Sequence, residues 1–292
     1  MKLISSFSFR AKRRLKYYFE LLRDRLEWTL SLTFTNQAVW CRNRLGQSYQ
    51  PLSLPEYRYM RNGNPEVNVS LLVERLLQEG MTVADVGANH GLFSMEAAHF
   101  VGSTGRVYAF EPTPELYAHL RKHLEVNHLK NVYLLEKAVG SFDGNAKLRV
   151  HHECTGLNSL ASQDLVWQGS TLIADQVINV PICKLDTVVH SKNISHIDIL
   201  KIDVEGFELE VLQGARLILV NQLVKYIILE IAECHQQNSG LKIDSLLTFL
   251  DELEYSIHLI TPEGEIGEQV KNRQFYRGNG GNFVCVPSSL VK

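Results

Sequence analysis

Hydrophobic positions along the chain change period several times, and each change predicts an element. Leu71, Leu72, Leu76 and Leu77 follow Val67 at helical spacing, and Gly80 supplies a stop. Short apolar runs then alternate with helical stripes: strand Thr82–Val86, helix Gly91–Phe100, strand Arg106–Phe110, helix Pro114–Val126 and strand Val132–Leu135. The alternation returns downstream with strand His196–Ile202, helix Phe207–Leu219, strand Lys225–Ile231, helix Leu241–Leu253 and strand Ser256–Ile260. Asn282–Val286 reads as a last strand, pairing antiparallel at the sheet edge. Strands linked by helical crossovers predict an α/β fold with a doubly wound, mostly parallel sheet.

Residues 137–190 break this rhythm. Ser141-Phe142-Asp143-Gly144 reads as a hairpin turn between short strands, Cys154–Gly169 as a polar loop, and Gln176–Val180 as a further strand. The expected organisation is a basic helical extension and connector over 1–65, then one domain over 66–292 carrying a hairpin-and-loop insertion around 137–190. Within the extension, Phe9–Trp28 has helical spacing with interleaved basic residues. That pattern suits docking on protein, a membrane surface or a targeting segment, and leaves the three open. Residues 28–55 lack Asp and Glu, and Trp40, Tyr49, Tyr57 and Tyr59 offer anchors for the connector.

Charge sharpens this division. The whole chain of 292 residues is −2, whereas residues 1–30 alone carry eight basic and three acidic side chains. The body is therefore acidic, which argues against a nucleic-acid partner. With 45% hydrophobic and 21% charged residues the chain can build a sizeable core, which excludes disordered and fibrous classes. Five scattered cysteines without a CxxC pair point away from a disulfide scaffold or a structural zinc. No apolar run of membrane-spanning length and no signal-type apolar stretch is seen. These features predict a cytoplasmic protein, with the N-terminal helix available for peripheral membrane or protein contact.

Candidate chemistry sits where strands end. In Val83-Ala84-Asp85-Val86-Gly87-Ala88-Asn89-His90-Gly91 an apolar strand ends in an acid, and glycines bracket the turn into the next helix. Gly87 and Gly91 would admit a ligand without Cβ clashes. The loop lacks the G-x-G-x-x-G pattern that surrounds a pyrophosphate. Asp85 is either a turn former or a carboxylate for a cationic ligand group. Glu111, at the end of the next strand, either caps the helix beginning at Pro114 or accepts both hydroxyls of a ribose.

The second constellation is Lys201-Ile202-Asp203-Val204-Glu205-Gly206. Its acid pair can orient a donor, ligate a metal or remove a proton, and Glu205 can equally cap the following helix. Lys201, inside the strand, either snorkels or pairs with an acid. Glu230 puts another carboxylate at the end of the next strand. His235 beyond it is either a general base or an ordinary loop histidine.

Six segments in order resemble the FkbM family of S-adenosylmethionine-dependent methyltransferases. They are Asp-Val-Gly-Ala-Asn-x-Gly at 85–91, Phe-Glu-Pro at 110–112, Thr-Gly-Leu-Asn-Ser-Leu at 155–160, Leu185-Asp186, Leu-Lys-Ile-Asp-Val-Glu-Gly at 200–206, and Val211-Leu212-x-Gly214-Ala215. The resemblance covers about Glu66 to Ile231. It implies a Rossmann-like methyltransferase domain with S-adenosylmethionine over the C-terminal ends of the first strands. Asp85, Gly87, Asn89 and Gly91 would border its methionine and ribose portions, Glu111 would hold the ribose, Lys137 and Ala138 would border adenine, and Glu66 would help at the methionine end. Asp203 would sit beside the transferring methyl group, with Asp203 or His235 as the base. The resemblance implies O-methylation of a small-molecule, sugar or glycan hydroxyl, with Asn158, Ser159 and His235 lining the acceptor pocket and no metal assigned. A nicotinamide-dependent oxidoreductase and a non-catalytic scaffold remain as other readings of the residues.

Overall fold

The computed structural model describes residues 40–52, 66–152, 155–161, 165–167, 170–231, 243–276 and 280–290, with positions 22, 23, 25, 26, 29, 54 and 57 besides. The chain divides into two compact units, Met1–Pro65 and Glu66–Lys292. In the first, positions 22, 23, 25, 26 and 29 are helical, and the rest of the expected Phe9–Trp28 helix lies outside the described residues. Two short strands, β1 (Cys41–Arg42) and β2 (Ser48–Tyr49), pair antiparallel around a turn in which the Asn43 side chain accepts the N–H groups of Leu45 and Gln47. Tyr49 and Tyr57 are buried, whereas Trp40 is exposed.

The second unit opens with α1 (Val67–Leu76) and then alternates β3 (Thr82–Val86), α2 (Leu92–Val101), β4 (Arg106–Phe110), α3 (Pro114–Val126) and β5 (Val132–Leu135). After the insertion come α4 (Leu185–Ser191), β11 (Ile197–Ile202), α5 (Glu208–Gly214), α6 (Arg216–Val220), β12 (Val224–Ile231), α7 (Ile243–Glu252), β13 (Tyr255–Ile260), β14 (Ile266–Gln269) and β15 (Gly281–Pro287). One eight-stranded mixed sheet has the order β14-β13-β15-β12-β11-β3-β4-β5. From β12 to β5 neighbouring strands are parallel, and beyond β12 every pairing is antiparallel.

Two-residue alternation explains how both faces are covered. Ala84, Val86, Tyr108, Phe110, Leu200 and Ile202 pack against α4, α5, α6 and α7. Val83, Val107, Ile199 and Ile228 face α1 and α2. Polar residues on strands buried on both faces therefore need partners, and those at the strand ends build the site described below.

Four sequence expectations change. β15 lies between β12 and β13, not at the edge; its Val284 and Cys285 are fully buried, as an interior strand covered on both faces requires. The Ser141–Gly144 segment does not join a hairpin. β6 (Ala138–Val139) and β7 (Gly144–Val150) instead flank the longer β10 (Gln176–Cys183), parallel on one side and antiparallel on the other. Asp143 then accepts bonds from Lys184 N–H (3.1 Å) and Thr187 Oγ1 (2.9 Å), tying this turn to the start of α4. The expected helix Phe207–Leu219 is interrupted at Ala215. Gly214 lies against the Gly140 carbonyl so closely that a Cβ would approach it to 1.9 Å. Within the stretch expected as a polar loop, β8 (Leu165–Trp167) and β9 (Ser170–Leu172) form a small ribbon, and Arg149 bridges to Ser159.

Candidate active site

The turn after β3 is shaped by backbone conformations that ordinary residues avoid. Gly87 has φ 84° and Gly91 φ 80°, and between them Asn89 adopts φ 50°. Both glycines make room for the protein itself. A Cβ at Gly87 would lie 1.9 Å from the Asp203 carbonyl oxygen, and one at Gly91 1.9 Å from Leu120 Cδ1. Their missing Cβ atoms are accounted for by packing of the protein on itself. Gly87 lets the loops after β3 and β11 close on each other, where Asp203 N–H also donates to the Val86 carbonyl at 3.0 Å.

The strained turn aims its backbone at Glu111. Glu111 is 4% exposed and accepts Asn89 N–H on Oε2 and Thr113 N–H on Oε1, each at 2.8 Å. Thr113 precedes the first residue of α3, so Glu111 braces the approach to that helix without capping its first turn. The Thr113 hydroxyl bonds the same carboxylate, and Oε2 keeps a lone pair beyond the Asn89 N–H. Burial pushes the Glu111 carboxyl above its ordinary range, against the pull of those donors.

Asp85 is 1% exposed and takes a 2.5 Å hydrogen bond from Ser94 in the first turn of α2. Its Oδ1 is buried and makes no hydrogen bond among the described residues. Burial raises the Asp85 carboxyl to about 6, opposed by Lys201 and Ser94 and reinforced by Asp203 and Glu66. Lys201 pairs with Asp85 in the β11–β3 register, and its ammonium lies 2.5 Å from Asp203 Oδ2 and 5.6 Å from the centre of the Phe93 ring. Burial works against this charge, but Asp203, Glu66 and Asp85 together hold it well above the ordinary lysine range. The ion-pair reading of Lys201 is thus the one the fold uses.

More acids converge on the same face. Glu66 accepts Asn282 Nδ2 at 2.8 Å, and buried Glu96 accepts the Ser70 hydroxyl. One carboxylate oxygen from each of Asp203, Glu205 and Glu230 falls within 4.8 Å of the others, and no ion is present. Glu205 has φ 53°, and its carbonyl accepts Ser159 Oγ at 2.7 Å. The first-turn Glu208, buried, takes the Gly206 N–H at 2.9 Å and closes the turn ahead of α5.

Residues 155–161 fasten across these loops. Thr155 Oγ1 lies 3.2 Å from His90 Nε2 and 3.4 Å from Asn89 Oδ1. Asn158 Nδ2 donates to Thr113 Oγ1 (3.3 Å), and Asn158 Oδ1 accepts His151 N–H (2.7 Å). Asn158 and Ser159, read from sequence as acceptor-pocket residues, thus serve as fasteners of this strap. His152 N–H is turned to Asp175. Lys137 is exposed just past β5, while the Ala138 methyl is buried in the small sheet's core. His235 lies outside the described residues.

A model of the methyltransferase FkbM domain matches residues 85–257. The chain is 27% identical over 148 residues to methyltransferase 1 of Beauveria bassiana, covering 45% of this chain and 57% of that protein. It is 29% identical over 154 residues to methyltransferase sdnD of Sordaria araneosa, covering 45% and 59%. The matched part is thus a little over half the length of these curated relatives. Among solved structures, the methyltransferase FkbM of Methylobacillus flagellatus aligns over 72% of this chain and 44% of its own, with TM-score 0.44 and 15% identity. Because the domain match spans more than half of the chain, the protein belongs to the FkbM family of S-adenosylmethionine-dependent methyltransferases.

Proposed function

We propose that this chain transfers the methyl group of S-adenosylmethionine to a hydroxyl oxygen of a small-molecule, sugar or glycan acceptor. The observation that carries the reading is the convergence of Asp85, Glu111 and Asp203 at the C-terminal ends of three adjacent parallel strands, beside a turn with φ 50° at Asn89. Ligands of open α/β sheets bind outside those ends. The residues fit the cofactor in kind: buried Asp85 Oδ1 has an unfilled acceptor site, and Glu111 keeps acceptor capacity for a ribose hydroxyl on Oε2.

When bound, S-adenosylmethionine supplies a methyl group on a sulfonium, with a neutral thioether as leaving group. The protein's work is then placement and exclusion of water. Glu111 would hold the ribose, Asp85 and Glu66 the methionine end, and the backbone from Gly87 through Asn89 to Gly91 the flank between them. Lys137 and Ala138 would border adenine. Asp203, fixed by Lys201, would stand beside the methyl group. His235 is kept as an alternative proton acceptor. A cytoplasmic location, with the basic helical extension of 1–65 touching a membrane surface or another protein, belongs to the same reading.

Incubation with methyl-labelled S-adenosylmethionine and fractionated cell metabolites, followed by identification of the labelled product, tests the reaction. Label on carbon or nitrogen, or none at all, would contradict O-methylation. Glu111→Ala should weaken cofactor binding about 100-fold or more, the worth of two hydrogen bonds to a charged acceptor. Unaltered affinity would remove Glu111 from the ribose site, and affinity for a nicotinamide dinucleotide alone would favour the oxidoreductase.

A further inference from the structure

A chain of hydrogen bonds leads from the strap over residues 155–161 to the carboxylate of Glu111, and the chemistry of its members fixes the direction of each link. His151 N–H, just past the end of β7, can only donate, so the group that meets it at 2.7 Å is the amide oxygen of Asn158. The other limb of that amide is then its NH2, which points at Thr113 Oγ1 from 3.3 Å. Thr113 Oγ1 accepts there, and its own proton goes to the Glu111 carboxylate. The same carboxylate also takes Thr113 N–H on Oε1 and Asn89 N–H on Oε2. An amide turned the other way would set N–H against N–H at His151 and draw the Thr113 proton off Glu111. Asn158 is itself held in register: its N–H donates to the Thr155 carbonyl at 3.2 Å, and the next residue pairs in both directions with Arg149 of β7. Thr113 is buried, so water competes little for its hydroxyl.

We infer that Asn158 is a positioning residue for the ribose end of the cofactor, directing the Thr113 hydroxyl so that Glu111 meets the ribose in one fixed orientation. The inference rests on the proposed ribose role of Glu111 and deepens it. A carboxylate gripped by donors on both oxygens cannot turn about its own axis, and the lone pair left on Oε2 keeps one direction. Asn158 thereby acts on the cofactor side of the site, whereas its loop position in the sequence pointed to the acceptor. The strap contributes to cofactor affinity through Glu111.

Calorimetric binding of S-adenosylhomocysteine and of its 2′,3′-dideoxy analogue to the full chain tests this, because the ratio of the two affinities reads the bonds to the ribose hydroxyls. The unmodified chain should prefer the hydroxylated ligand, and Glu111→Ala should bring the two affinities together. Asn158→Ala and Thr113→Val should each lower the preference about 3- to 10-fold, the net worth of one hydrogen bond. Combined, they should lower it no further than either alone, since both break one chain. A strap that only fastens loops would weaken both ligands alike, so an unchanged ratio in Asn158→Ala and Thr113→Val overturns the inference. An additive loss in the double variant also overturns it, because the two side chains would then act separately. Should Asn158→Ala fail to fold, Asn158→Asp keeps the size and the bond to His151 but offers Thr113 an acceptor in place of a donor, and the same fall in the ratio is expected. A ratio that falls in Glu111→Ala and holds in the other variants removes Asn158 alone. Equal affinities in the unmodified chain, or a preference that survives Glu111→Ala, remove the ribose reading beneath it.

Discussion

At Gly87 the backbone is in the left-handed region and a Cβ would overlap the Asp203 carbonyl. Gly87→Ala should therefore cost about 3 kcal/mol or more, adding backbone strain to a contact between two main chains that cannot both yield. Denaturant unfolding measures it, and a loss under about 1 kcal/mol would mean that the two loops separate readily. Lys201 presents the opposite case, a side chain whose removal hurts through what it leaves behind. Lys201→Met strands Asp203 and Asp85 without their cation, and a cost of about 3–5 kcal/mol at pH 7.5 is expected. Part of that loss should disappear near pH 5, where the raised Asp85 carboxyl can take up a proton. A pH-independent loss would show that packing of the lysine stem, not its charge, matters. Asp85, Glu111 and Asp203 were legible as candidates because an acid ending an apolar strand has no packing explanation. Ser94 and Asn282 gave no such signal, since a polar residue near a helix start or a strand end is commonplace.

At the scale of elements, the strap over residues 155–161 is held by side chains that reach three different loops. Ser159 alone ties Arg149 of β7, through backbone pairing, to the Glu205 carbonyl. Ser159→Ala should leave global stability within about 1.5 kcal/mol, the net value of one hydrogen bond, while loosening the segment locally. Amide exchange at Asn158, Ser159 and Ala161 should accelerate, with the strands of the large sheet unaffected; unchanged exchange would show that the backbone pairing with Arg149 suffices. Helices and parallel strands were readable because their periods are local. The pairing of β6 and β7 with β10, and the place of β15, were not, because a period-two pattern names the buried face and not the neighbour.

For the whole molecule, the raised carboxyls at the sheet's C-terminal edge link stability to pH. Asp85 is raised to about 6 and Glu230 to about 8, so the folded chain binds more protons than the unfolded one over this range. Their contribution is complete below the unfolded carboxylate range near pH 4 and is lost as pH rises through about 6 and then 8. The ligand-free protein should accordingly melt lower at pH 8.5 than at pH 5.5, and Glu230→Gln should flatten the upper part of that slope. An equal slope in the variant would place the proton elsewhere. Saturating S-adenosylhomocysteine should raise the melting point by roughly 5–10 °C at a hundredfold excess over its Kd. Glu111→Ala should need far more ligand for the same rise.

The sequence by itself determined the alternating strands and helices from Val67 to Leu135, the strands β11, β12 and β13, the acids that end β3, β4 and β11, and, through six ordered segments, the family. Those features are local: a period, a strand terminus, a spacing. Only the tertiary structure decided that the Asp203 carbonyl fills the space of a Gly87 side chain, that Asn158 and Ser159 fasten a strap, and that Glu230 and Glu205 meet Asp203, which holds Lys201. Each of these depends on which strands become neighbours, and the electrostatics of a buried charge are set by the groups that surround it in space.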